Sequence, residues 1–191
     1  MKGEDRKEEI LNTAAQLFSE RGYNAVSMRD LAEALGIKAA SLYNHISSKQ
    51  ELLSTLIISV AEAFTTGMNE IISSKTSTVE KLDKVIDLHV KITIENSKAL
   101  YSLNNDWMHL KDPDLSYFKD MRNSYEENFR KILKQGVKKK EIQCLNIEVM
   151  LFSILSSLRT LNQWYSKKQG IDGKELSAQM KQVLLQGIIK N

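Results

Sequence analysis

From Ile10 to Ile188 the apolar residues of this chain recur three and four apart, and a single proline, Pro113, stands among its 191 residues. That spacing stacks side chains along one face of a helix, and a shortage of proline and glycine lets each helix run long. No stretch alternates as a strand does, so the expected fold class is all-α. Hydrophobic residues make up 42% of the chain, enough to build a buried core around such helices. Ile10, Ala14, Leu17 and Phe18 mark a first helix from about Asp5 to Arg21. Gly22 ends it, with Tyr23 packing in the turn.

The most informative stretch is Ser27 to Lys49, SMRDLAEALGIKAASLYNHISSK. Ser27 is placed to cap a short helix whose apolar face is Leu31, Ala32 and Leu35. Gly36 follows where a helix stops and the backbone needs positive φ, and Ile37 is the buried residue of the turn. A second short helix begins near Ala39 or Ala40 and turns Leu42 and Ile46 inward. Its other face shows Ser41, Tyr43, Asn44 and His45. Two short helices joined by a tight glycine turn make a helix-turn-helix. A helix that enters the major groove must be slim where it meets the bases, and Ala39, Ala40 and Ser41 are small. Tyr43, His45 and Lys49 are donors placed to reach phosphates, which fixes register without reading sequence. Lys38 is placed for a phosphate or a guanine edge.

GIKAASLYNHISSKQELL resembles the DNA-binding signature of the TetR family of bacterial transcription repressors. The resemblance implies a nine-helix fold with an N-terminal helix-turn-helix module of three helices and a C-terminal helical domain for ligand binding and dimerisation. It matches Tyr43, His45 and Lys49 to the family's phosphate contacts, and Ser27 and Arg29 to its contacts at the start of helix two. Ile46 stands where the family usually has Phe. On this basis residues 1–50 form the DNA-binding domain and 51–191 the rest. The implied partners are double-stranded operator DNA, a second copy of the chain and a small-molecule effector. The stretch ending in Trp164 and Tyr165 is faintly similar to members that sense acyl-CoA thioesters, with Arg122, Arg130 or Arg159 as candidates for its charged groups.

Behind the helix-turn-helix, Ser48 and Glu51 read as a capping box for a long helix through Leu52, Leu53, Leu56, Ile57, Val60 and Phe64 towards Ile72. The remaining helices follow at about 79–95, 99–108, 115–139, 147–165 and 176–188, with Gly170 and Gly173 bracketing the last loop. Ile147–Tyr165 is apolar over more than one stripe, which means burial from two sides. The last helix presents Leu176, Met180, Val183, Leu184 and Ile188, and Ser156, Ser157 and Gly187 permit close approach. These two helices are the expected homodimer contact. Tyr101, Trp107, Met108, Tyr117, Met121, Tyr125, Phe129 and Trp164 form an aromatic and Met-rich set that reads as core or as the lining of an apolar ligand site.

Net charge argues little: residues 1–50 hold seven Lys or Arg against seven Asp or Glu. One cysteine, Cys144, rules out an internal disulfide and points to a reducing cytoplasm. The first ten residues lack the apolar core of a signal peptide, and no run of 18 apolar residues suggests a membrane span. No Gly-rich phosphate loop, HExxH helix or Ser-His-Asp spacing supports an enzyme, and no metal or cofactor is expected. His89 and His109 stand apart from other ligands. The reading is a ligand-responsive repressor. An activator or corepressor-type regulator would share every residue named, and a helical protein-interaction module is the other alternative.

Overall fold

A computed structural model of the chain describes residues 2–167 and 171–189. Among these the α-helices are α1 (Lys2–Arg21), α2 (Met28–Ala34), α3 (Ala39–Tyr43), α4 (Lys49–Ser73), α5 (Thr78–Glu95), α6 (Ser97–Asn105), α7 (Asp114–Lys138), α8 (Ile147–Tyr165) and α9 (Gly173–Leu185). Short 3₁₀ turns stand at Tyr23–Ala25 and Trp107–His109. The all-helical expectation is met; the one extended pairing among the described residues is an isolated antiparallel bridge between Ile142 and Ile189.

The helices begin where short polar side chains satisfy their first amides. Ser77 and Glu80 form a capping box on α5, Asn146 accepts from Glu148 N and Val149 N on α8, and Asp172 accepts from Lys174 N on α9. At α4 the expected box is split. Ser48 Oγ accepts from Glu51 N at 3.1 Å, but the Glu51 carboxylate reaches one residue further back, to Ser47 N at 2.8 Å and Ser47 Oγ at 2.7 Å.

The chain folds as two compact units: one gathers the residues up to Ala61 with Lys98–Phe118, the other Glu62–Ser97 with Lys119 onward. In the first, Ile10, Phe18, Leu31, Leu42, Leu52 and Ile57 are fully buried, and α2 packs against both α1 and α3. The core of the second joins Met68 of α4, Leu82 and Ile86 of α5, Phe129 and Leu133 of α7, Ile154 and Leu158 of α8, and Leu176 and Leu185 of α9. Here α5 packs against both α8 and α9. By length and composition α4 is apolar enough to cross a membrane. Its apolar residues Leu52, Leu53, Ile57 and Met68 are instead buried inside the protein.

Three expectations are corrected. Ile37 is half-buried rather than enclosed. Val183 was placed on the inner face of the last helix, yet it is 75% exposed, because α9 turns Leu176, Leu185 and the residue Ile188 beyond it inward. On α8, Val149 and Phe152 are 60% and 70% exposed, so only one of its two apolar stripes is covered within the chain. Gly170 lies outside the described residues.

Candidate nucleic-acid interface

α2 starts at Ser27 through a complete capping box. Asp30 N donates to Ser27 Oγ at 3.2 Å, while Ser27 N and Oγ donate to Asp30 Oδ2 at 2.7 and 2.6 Å. These bonds hold the Asp30 carboxyl below its usual range. They also occupy the Ser27 hydroxyl, so this exposed residue serves first as a cap. Gly36 has φ +65°, the left-handed conformation that ends α2 and aims the chain into α3. A Cβ there would meet open space, so only backbone strain opposes it. Gly36→Ala is accordingly expected to lower stability by about 1 kcal/mol, read by urea unfolding.

α3 is five residues long and held from below by Leu42, which is fully buried, and by Ile46 just beyond it, 1% exposed. Each of these two side chains contributes roughly 1.5–3 kcal/mol. With that face anchored, Ala40, Ser41 and Tyr43 of α3 point to solvent, as does Lys38 at its N-cap. Ala39 is half-buried. Tyr43 is 52% exposed, unusual for an aromatic ring of this size. The helix ends at Tyr43: Asn44 is its C-cap and His45 sits in the turn beyond, two residues past the end of the helix in which the spacing had placed it. Both are exposed, as is Arg29 on α2. The structure thus gathers Arg29, Lys38, Tyr43, Asn44 and His45 as solvent-facing polar groups on and beside two short helices.

Lys49 differs from these. Its Nζ donates to Val26 O at 2.8 Å and Tyr23 O at 2.9 Å and lies 4.2 Å from the centre of the Tyr23 ring. Burial lowers the ammonium pKa. Around it stand Tyr23, buried in its turn as expected, and partners of it that spacing did not single out. Tyr23 donates from its hydroxyl to Gln50 Oε1 at 3.1 Å, Gln50 Nε2 donates to the carbonyl of His109 at 3.1 Å, and the His109 ring stacks on Tyr23 with centroids 5.4 Å apart. Ser54 Oγ donates to Asp114 Oδ2 at 2.5 Å in the same unit. No local signal could have revealed these pairs, because each joins segments far apart in sequence.

The aromatic set does not come together as one group. Tyr101, Trp107, Met108 and Tyr117 belong to the first unit, Met121, Tyr125, Phe129 and Trp164 to the second. Met108 is 61% exposed, and Tyr117 and Trp164 are also largely outside, while Trp107 leans on Phe118 with centroids 5.8 Å apart. Phe129 is packed in the core. Tyr125 Oη lies 2.8 Å from His89 Nε2, and Phe64 lies against both rings. Burial, helped by the nearby Arg159, pushes the imidazole pKa down to about 3, and burial raises that of the phenol, so both stay neutral. Arg130 is tied to Glu127 and Glu148, and Arg159 to Glu126. Their guanidinium groups are therefore engaged by carboxylates of the chain itself.

Two family models match the chain. Residues 10–56 match "Bacterial regulatory proteins, tetR family", and residues 75–188 match "Tetracyclin repressor-like, C-terminal domain". The chain belongs to the TetR family of bacterial transcriptional regulators, and the N-terminal match spans α2 and α3. Among its relatives is the HTH-type transcriptional repressor KstR2 of Mycobacterium tuberculosis, 25% identical over 188 residues that cover 97% of this chain and 94% of the relative. KstR2 of Rhodococcus jostii is 23% identical, covering 96% and 91%. The solved structure of the ketosteroid transcriptional regulator KstR2 of Mycobacterium tuberculosis shares the fold with a TM-score of 0.92, 23% identity and coverage of 97% and 96%. AibR in complex with isovaleryl coenzyme A and operator DNA does so with a TM-score of 0.79, 22% identity and coverage of 93% and 97%.

Proposed function

We propose that this regulator is a repressor that grips a palindromic operator as a homodimer and releases it when a largely apolar small molecule binds. The observation that carries this reading is α3: a slim helix anchored by Leu42, with Tyr43 and His45 exposed at its far end. In the major groove, Ala39, Ala40 and Ser41 would face the bases, with Asn44 beside them. Arg29, Lys38, Tyr43 and His45 would meet the phosphates on either side. Two such heads would read half-sites about one helical turn, ~34 Å, or a multiple apart. The second copy is assigned to α8 and α9, whose Val149, Phe152 and Val183 remain outside the single chain.

The effector is assigned to the second unit, around Met121, Tyr125 and its partner His89. A neutral hydrogen-bonding pair in a mostly apolar core suits an apolar chain with a carbonyl, such as the acyl end of a thioester, and not a charged head group. Acyl-CoA thioesters are the class to test first, since AibR, with the same fold, is known with one. For release to follow, the effector must bind the operator-free arrangement more tightly than the operator-bound one.

The experiment is to select a preferred duplex from random sequences and measure its binding at two salt concentrations, with and without acyl-CoAs of graded chain length. Tyr43→Ala and His45→Ala are each expected to weaken binding about tenfold on every sequence alike, and Lys38→Ala to flatten the salt dependence. Affinity untouched by either change would refute the phosphate assignment. Binding indifferent to every acyl-CoA tested would refute the effector class.

A further inference from the structure

Lys49 is the first residue of α4, and its side chain folds back towards the chain that precedes α2. An ammonium has three N–H bonds. Two carbonyl oxygens, Tyr23 O at 2.9 Å and Val26 O at 2.8 Å, together with the face of the Tyr23 ring at 4.2 Å, account for the directions available to it. Those carbonyls bracket the connection between α1 and α2, and the residue after Val26 is Ser27, the cap of α2. We propose that Lys49 is a positioning residue for DNA binding: it fixes the α1–α2 connection, and through it Ser27 and Arg29, instead of touching a phosphate.

This rests on the DNA-binding reading above and departs from the role that resemblance assigns to the residue. Tyr23 is the other half of the device. Its ring is the platform under the ammonium and also stacks on His109, while its hydroxyl donates to Gln50, whose amide donates to the His109 carbonyl. Tyr23 is 9% exposed and packs edge-on against Phe18, with centroids 5.3 Å apart, so it has little room to follow Lys49 outward. A lysine that swung to a phosphate would abandon two carbonyls and leave the connection untied.

Arginine separates the two roles. It keeps the charge and holds a phosphate at least as well, but its planar fork cannot reproduce the convergent grip of a compact ammonium on two carbonyls and a ring. Full-length protein carrying Lys49→Arg, Lys49→Met, Tyr23→Leu or the last two together is titrated with the selected duplex and with a random-sequence duplex of equal length. The folded, binding-competent fraction is fixed by circular dichroism and stoichiometric titration. Lys49→Arg is expected to weaken both duplexes about tenfold, the scale of one or two lost charge-assisted hydrogen bonds. Amides of residues 22–30 should exchange faster in this variant without DNA. Lys49→Met and Tyr23→Leu should be partly non-additive in DNA affinity, because the ammonium–ring contact needs both side chains while the two carbonyl bonds survive Tyr23→Leu. Affinity within about twofold of wild type for Lys49→Arg, or unchanged exchange of the amides of residues 22–30 in that variant, would overturn the proposal. If Lys49→Met does not fold, Lys49→Arg decides alone. A wild-type protein that selects no preferred duplex would count against the operator reading, while the random duplex still tests the role of Lys49.

Discussion

A chain carrying Phe152→Glu is expected to stay folded, to sediment as a monomer at micromolar concentration, and to lose operator affinity by two orders of magnitude or more. The side chain is 70% exposed in the single chain, so the new carboxylate finds water and the core under α8 is undisturbed. In a homodimer built on α8 and α9 the same carboxylate would be buried, twice per assembly. Leaving one unpaired charge in a closed interface costs at least about 3 kcal/mol, which raises a dissociation constant more than about a hundredfold. Each head would then have to find its half-site separately and lose the high effective concentration that linkage provides. Val183→Glu, on α9 and 75% exposed, should act in the same direction. Sedimentation and a gel shift at matched concentrations check both. A Phe152→Glu protein that remains dimeric would remove α8 from the interface.

The second large effect is on stability. His89 is 5% exposed, bonded to Tyr125 and lying against Phe64, with Arg159 adding to the cost of a positive charge. The ordinary imidazole value is 6.5, and in the folded protein it falls to about 3. Above the ordinary value neither state is protonated and the fold keeps its full stability. Below it the unfolded chain gains a proton that the native chain refuses. Stability should therefore drop by up to about 1.4 kcal/mol per pH unit, or about 2.3 kcal/mol between pH 6.5 and 4.5, since the unfolded imidazole is only half protonated at the upper end. Below that window the carboxylates that folding holds low, among them Glu51 with its hydrogen bonds from Ser47, add losses of the same sign. Urea unfolding of wild type and His89→Gln across pH 7 to 4.5 isolates the histidine, and the variant's curve should be nearly flat there. An equal pH slope in both proteins would show that His89 is not the titrating group. The same neutrality bears on the proposed effector site, because an uncharged imidazole–phenol pair can exchange hydrogen bonds with a carbonyl without meeting a net charge.

Much of the molecule was legible in the residue order. The spacing of Ile10, Ala14, Leu17 and Phe18, the cap at Ser27, the positive φ at Gly36 and the inward pair Leu42 and Ile46 all appear as read. The start of α4 was nearly right, with the carboxylate of Glu51 shifted from Ser48 to Ser47. The aromatic and Met-rich set was legible as residues but not as a place, since composition says nothing about which of them share a core. Lys49 shows the limit most clearly. A lysine at the head of a helix beside a DNA-reading element reads as a phosphate contact, and only the fold reveals Tyr23 and Val26 beneath it.

By itself, then, the amino-acid order determined helix class, the capped starts of α2 and α4 and the helix-turn-helix, because periodicity, capping and glycine turns depend on residues within four positions of one another. Tertiary structure alone decided which apolar stripe of α8 is covered, which side of α9 faces inward, and that the Trp107–His109 turn closes on Tyr23. Those outcomes depend on contacts between segments far apart in the chain, where many pairings satisfy the same local pattern and only the packed whole selects one.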